Sequence, residues 1–246
     1  AREHRLAHGR RRLRVRSRPL QEPGRTLPDQ FLATEAREPL ERAHALAPGD
    51  PNISANLALA YAETWSVEEA LELLRAARRE LPSSTVVQHQ IPFLANYSDR
   101  LTSRQVFDEH RRFAELLAAR PAPTPKFPLK TVGPADADRA LHVGLVSADF
   151  REHSVSRFLE AILCDHDPGQ VRFTLYPVER AADETTARLR EWADAASDAA
   201  LRPEPEALNA IRREGPDVLM DLAGLTRGMR ANLLIARAAP LQITYL

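Results

Sequence analysis

One cysteine, two lysines and nine glycines in 246 residues put several kinds of protein out of reach. A lone cysteine, Cys164, excludes an internal disulfide and any zinc site built on several thiolates. Its neighbours Ala161, Ile162 and Leu163 predict a small buried apolar residue rather than a reactive thiol. No uninterrupted apolar run approaches the ~20 residues that span a bilayer, and no apolar signal-peptide core is present. The expectation is a cytoplasmic protein that does not engage a membrane. An excess of charge of one sign is missing too. Thirty-four basic residues balance thirty-four acidic ones, so the molecule as a whole is not drawn to a polyanion. Residues 1–28 are dense in arginine, yet no aromatic residue interleaves the charges as a base-stacking surface needs. They read as a poorly ordered leading segment rather than a nucleic-acid arm, and no nucleic-acid partner is expected.

What is present begins with a helical region, residues 29–120. In "PNISANLALAYAETWSVEEALELLRAARRELP", Leu57, Ala58, Tyr61, Ala70, Leu74, Ala77 and Pro82 stand at the offsets of a tetratricopeptide (TPR) repeat. Its small residues let paired helices approach closely. One period of ~34 residues earlier lie Ala36, Ala43 and Pro48, which suggests a preceding repeat. Ser54 departs from the pattern, which usually has a large side chain there. In "NYSDRLTSRQVFDEHRRFAELLAAR", Thr102 or Ser103 can cap a helix whose apolar face would carry Val106, Phe107, Phe113, Leu116 and Leu117.

Residues 121–139 are rich in proline, break every period and read as a linker. Beyond it, residues 140–246 alternate strand-like and helix-like segments. Strands are expected over 141–147, 171–178, 217–224 and the final "LQITYL", with helices over 154–163, 183–196, 205–214 and 229–236. This alternation predicts α/β architecture with a partial, doubly wound parallel sheet following the helical region. With only four or so strands, and with the last residues strand-like, the lobe is expected to be cut short.

Ligands of such sheets bind beyond the carboxyl ends of the strands. Two turns qualify by content: "SADFREHS", residues 147–154, and "DLAGLTRG", residues 221–228. Gly224 and Gly228 could let backbone N–H groups approach an anion. There is no G-x-G-x-x-G, Walker loop or G-x-S-x-G elbow, and no histidine pair with metal spacing on a helix. Asp149, Asp183 and Asp221 could in principle gather magnesium, but strand-end aspartates more often cap the next helix. No metal is expected.

Three stretches in order, "NYSDRLTSRQVFDEHRRFAE", "LHVGLVSADFREHSVSRFLE" and "GPDVLMDLAGLTRGMRANLLIARAAPLQITYL", resemble the SPINDLY and O-GlcNAc-transferase family of TPR-containing glycosyltransferases in its bacterial form. The resemblance covers about residues 50–246. It implies TPR helices packed on a catalytic region of the two-lobed GT-B (Rossmann-like) type, and transfer of GlcNAc from UDP-GlcNAc to Ser or Thr of a protein, with inversion and without a cofactor. His153 falls on the family's active-site histidine, assigned either general-base or acceptor-positioning duty. Asp149, Asp221, Gly224 and Thr226 would bind donor or acceptor, and the implied partners are a nucleotide sugar and a protein or peptide held by the TPR helices. Leu225 departs from the histidine or tyrosine of relatives, and Ala238 from a proline. The second, nucleotide-binding lobe is expected to be absent, so this polypeptide alone should not catalyse. The alternative is a non-catalytic TPR adaptor with a remnant Rossmann-like half.

Overall fold

A computed structural model describes residues 28–180, 183–226 and 228–245. The arginine-rich segment, apart from Pro28, lies outside the described residues. Five helices come first: α1 (Pro28–Leu46), α2 (Pro51–Glu63), α3 (Val67–Glu80), α4 (Thr85–Ala95) and α5 (Ser103–Ala118). α2 starts where it does because the Asp50 carboxylate accepts the amides of Asn52 at 2.8 Å and Ile53 at 3.3 Å, while Pro51 has no amide to satisfy. Thr102 caps α5 in a reciprocal box with Gln105, as its position in sequence suggested. Ala58, Ala70 and Ala77 are buried with Leu71, Leu74 and Ile91 between α2, α3 and α4. Ser54, the departure from the repeat, is also buried, and its hydroxyl donates back to the Asp50 carbonyl at 3.1 Å.

α4 forms with Pro92 inside it, where the sequence pattern names no separate helix. One expectation fails here. Phe107 is 55% exposed, beneath the guanidinium of Arg104, instead of buried. Glu109, Phe113 and Leu117 form one i, i+4 row and take the inward face. Glu109 tolerates burial because Arg78 holds it at 2.6 Å and Arg75 at 3.5 Å.

The second part carries β1 (Leu141–Ser147), α6 (Ser154–Leu163), β2 (Val171–Pro177), α7 (Glu184–Trp192), β3 (Ala195–Ala196), α8 (Glu204–Glu214), β4 (Val218–Asp221), α9 (Ala231–Ile235) and β5 (Leu241–Thr244). All pairs are parallel and the order is β3-β2-β1-β4-β5, a doubly wound sheet. β3 replaces the end of the helix expected over 183–196. Asp194 draws the chain out of the helix, since its carboxylate accepts the amide of Phe173 on β2 at 2.7 Å and meets His166 at 3.0 Å. One face of the sheet packs Val143, Leu145, Phe173 and Leu175 with residues of α6 and α7. The other packs Val146, Tyr176 and Leu219 with α8 and α9. Gly144 has no side chain because a Cβ there would lie 2.5 Å from the Tyr176 ring. Cys164, expected to be buried, is exposed. It caps α6 one residue past Leu163, a turn of ~100° away from the core-facing row.

The proline-rich segment before β1 is tied to this second part. The Lys126 amide donates to Asn209 at 2.6 Å, and Arg212 donates to the Phe127 carbonyl at 2.9 Å. Buried Asp217 receives Arg139 at 2.5 and 2.6 Å, Lys130 at 2.7 Å and the His142 amide at 2.9 Å. Burial pushes its carboxyl pKa up, but these donors outweigh it and hold it well below the usual range. Among the described residues no helix is long and apolar enough to cross a membrane.

Candidate active site

The strand order reverses between β1 and β4, and the loops that follow these two strands are the ones nominated by their composition. Asp221 is the register partner of Val146, and the Leu222 amide donates to the Val146 carbonyl at 3.0 Å. Gly228 closes the junction. Its φ is +84°, and a Cβ there would stand 2.5 Å from Ala148 Cβ and 3.0 Å from Val178 Cγ2. Its glycine is thus required for contact between loops, where an anion cradle had been considered. The loops after β1, β2 and β4 meet at one edge.

The first loop is held by its neighbours. The Asp149 carbonyl accepts the Ser156 hydroxyl at 2.5 Å, and the Phe150 carbonyl accepts the Thr186 hydroxyl at 2.7 Å. The Glu152 amide donates to Asp183 at 2.7 Å, and Asp183 also caps α7 through the Thr186 amide at 2.7 Å. Burial raises the Asp183 pKa, but these amides, the Thr186 hydroxyl and the Arg151 charge outweigh it and leave the net shift downward. Asp149 is buried, with Arg151 at 2.9 Å from Oδ1. His153 is the N-cap of α6: its Nδ1 accepts the Val155 amide at 3.3 Å and lies 3.8 Å from Asp149 Oδ2. A neutral ring with an occupied Nδ1 carries its proton on Nε2, on the far side from the helix. The side chain remains 37% exposed and lines a cleft of about 610 Å³ between the first turns of α6 and α7. Glu152, Arg157, Asp183 and Arg188 share its wall, and no described residue of the second loop does.

The second loop is held by itself. Asp221, buried, accepts the amides of Ala223 at 3.2 Å and Gly224 at 3.0 Å. Burial pushes its pKa up, and those two amides only partly offset it. Gly224 adopts φ +53°, and Thr226 turns both its amide (2.8 Å) and its hydroxyl (2.7 Å) to the Ala223 carbonyl. The structure therefore brings Asp149 and His153 together, and places Asp221, Gly224 and Thr226 in a neighbouring turn. Sequence reasoning missed His89 of α4, whose Nε2 meets the Leu225 carbonyl at 3.0 Å and joins the helical region to this turn. Nothing local marks His89, since its partner lies in the other half of the chain. Ser156 and Thr186 were also missed, though a hydroxyl in the first turn of each helix was a legible signal. Asp149, Asp183 and Asp221 face different partners, and among the described residues no three His, Cys, Asp or Glu side chains group so as to hold a metal ion.

The model of glycosyl transferase family 41 matches residues 115–246, the whole of the sheet and the segment leading into it. The chain belongs to this family. A probable UDP-N-acetylglucosamine–peptide N-acetylglucosaminyltransferase SPINDLY of Hordeum vulgare is 30% identical over 163 residues, 61% of this chain and 16% of that protein. A UDP-N-acetylglucosamine–peptide N-acetylglucosaminyltransferase of Caenorhabditis elegans is 28% identical over 109 residues, 43% of this chain and 9% of that protein. The structure of a mutant O-GlcNAc transferase of Thermobaculum terrenum superposes with a TM-score of 0.76 at 27% identity, covering 88% of this chain and 42% of that one. This family 41 chain thus spans less than half of the solved relative and less than a fifth of these curated relatives.

Proposed function

We propose that this chain forms the acceptor-side part of an inverting protein O-glycosyltransferase that moves GlcNAc from UDP-GlcNAc to a Ser or Thr hydroxyl. The acceptor oxygen attacks the anomeric carbon, the bond to the diphosphate oxygen breaks, and the hydroxyl proton leaves to a base. The family supports the chemistry, and the single observation that carries the assignment of a site is His153 held at a helix cap on the switch-point edge. Its occupied Nδ1 supports a positioning role: Nε2–H would donate to an acceptor or donor oxygen. For Nε2 to act as base the proton would have to move to Nδ1, giving up the Val155 amide and closing 3.8 Å toward Asp149. Asp149 with Arg151 would fix the ring, and the Asp221–Thr226 turn would shape the adjoining wall. The main nucleotide-binding groups, including those that stabilise the leaving diphosphate, are assigned to the part of the enzyme that this chain does not span, so the chain alone is proposed to be inactive.

The test compares His153→Ala with His153→Gln in the intact transferase that carries this region. Positioning predicts unchanged UDP-GlcNAc affinity, kcat down about 100-fold for His153→Ala, and partial rescue by His153→Gln, which keeps an N–H donor. Equal loss in both variants, with disappearance of a pH inflection in kcat, would instead assign the base. A second reading, a non-catalytic adaptor, is favoured by one observation: Asp221, Gly224 and Thr226 spend their polar groups inside their own turn. Absence of UDP-GlcNAc binding by the intact protein would decide for it.

A further inference from the structure

An aromatic corner of the helical region has no place in the transfer site. Trp65, in the turn between α2 and α3, is 70% exposed, and its backbone adopts φ +59°, the left-handed region that disfavours a side chain with Cβ. A bulky residue kept in that conformation, with its ring in water, costs stability without returning any by burial. Tyr97, in the turn after α4, is 52% exposed and meets Trp65 edge-to-face with ring centroids 5.9 Å apart. Phe93 supports Tyr97 from behind at 5.5 Å. The two rings form a small platform on adjacent turns, and within four residues of them along the chain stand the exposed carboxylates of Glu63, Glu69 and Asp99 and the exposed Arg100. The same end of the region already shows what such surroundings hold. Arg37 lies over the Tyr61 ring at 4.5 Å while donating to Glu41 at 2.8 Å and to Ser66, the residue after Trp65, at 3.4 Å.

We infer that the Trp65–Tyr97 corner is a docking surface for an arginine-bearing peptide segment, with a guanidinium stacked on the exposed rings and neutralised by the surrounding carboxylates. Ring faces carry negative quadrupole potential and the local side chains carry net negative charge, so a basic segment fits both the apolar and the electrostatic character of the corner. α4, which leads into Tyr97, also carries His89, whose Nε2 meets the Leu225 carbonyl of the second loop. That this segment belongs to a protein acceptor rests on the transferase reading; the binding itself does not.

The experiment titrates this chain with a synthetic ten-residue peptide carrying three arginines, following tryptophan fluorescence. Trp192, the other tryptophan, lies on α7 and reports separately through a Trp65→Gly variant. Saturable quenching is expected, weakened about tenfold when the arginines are replaced by citrulline and similarly by 0.5 M salt. By calorimetry, Trp65→Gly should weaken binding about tenfold while raising the melting temperature, because glycine relieves the left-handed strain. Tyr97→Ala should weaken binding several-fold without that gain. Equal affinity for the arginine and citrulline peptides, or unchanged affinity in both variants, would overturn the inference. Because neither readout needs turnover, an inactive site at His153 would leave the result untouched.

Discussion

The loop after β1 is held from outside, by Ser156, Thr186 and Asp183 on two helices, whereas the loop after β4 is held from within, by Asp221 and Thr226 on its own backbone. In the first, neighbours satisfy the backbone and the His153 ring is left half exposed to a cleft. In the second, the Asp221 and Thr226 side chains are consumed by the turn, and an outside histidine reaches the Leu225 carbonyl. Two loops with similar content are thus suited to different duties. A side chain that folds its own loop cannot be offered to a substrate without loosening that loop. On this argument the first loop is the better placed to offer a side chain to a ligand, and the second to supply shape.

The comparison breaks most forcefully at the contact between the loops. Gly228→Ala forces a Cβ to 2.5 Å from Ala148 at φ +84°, and should cost about 3 kcal/mol in urea unfolding. A neutral substitution would mean the loops do not touch as described. Next, Asp221→Ala leaves two loop amides without acceptors and should cost about 2–3 kcal/mol, with faster amide exchange confined to Ala223 and Gly224. Asp183→Ala removes a cap and one clamp, should cost about 1–2 kcal/mol, and should free the Glu152 amide instead. The same exchange pattern in both variants would erase the contrast.

The smallest effect is a difference in sign with pH. Asp183 titrates below the ordinary value near 3.9, so its contribution is present above that pH and is lost as pH falls through the folded value. Asp221, pushed up by burial that its two amide donors only partly offset, behaves oppositely: its contribution is present below the ordinary value and is lost as pH rises through the folded one. Carboxyl carbon shifts followed by NMR through an acid titration should therefore place Asp183 below Asp221. The reverse order would show that amide donors outweigh burial in the second loop.

Much of this was legible along the chain. The TPR alanines at 58, 70 and 77 are buried as their spacing implies, Thr102 caps its helix, and the β1 run is a central strand. His153 could be nominated from its place after that strand, and the family resemblance was readable in three short stretches, of which the second and third lie within the match over 115–246. The misses share a cause. Phe107 was placed by an apolar helical face and Cys164 by its apolar neighbours, but their exposure depends on a helical phase set by the packing partners. Asp194 ends α7 because it finds an amide on β2, and Asp217 gathers Arg139 and Lys130 from a segment that reads as a loose linker. The partners in each of those contacts are distant in sequence.

Periods, caps and turn residues act over a few positions, so the amino-acid sequence by itself determines the helical repeats, the strand segments other than β3 and the self-capping of "DLAG". Strand order is a choice among pairings of similar local quality, settled by how both faces of the sheet can be covered at once. Only that tertiary choice sets β1 beside β4, presses Gly228 onto Ala148 and brings His89 to Leu225. It is therefore the packed sheet, and not any local pattern, that brings two polar loops to one edge.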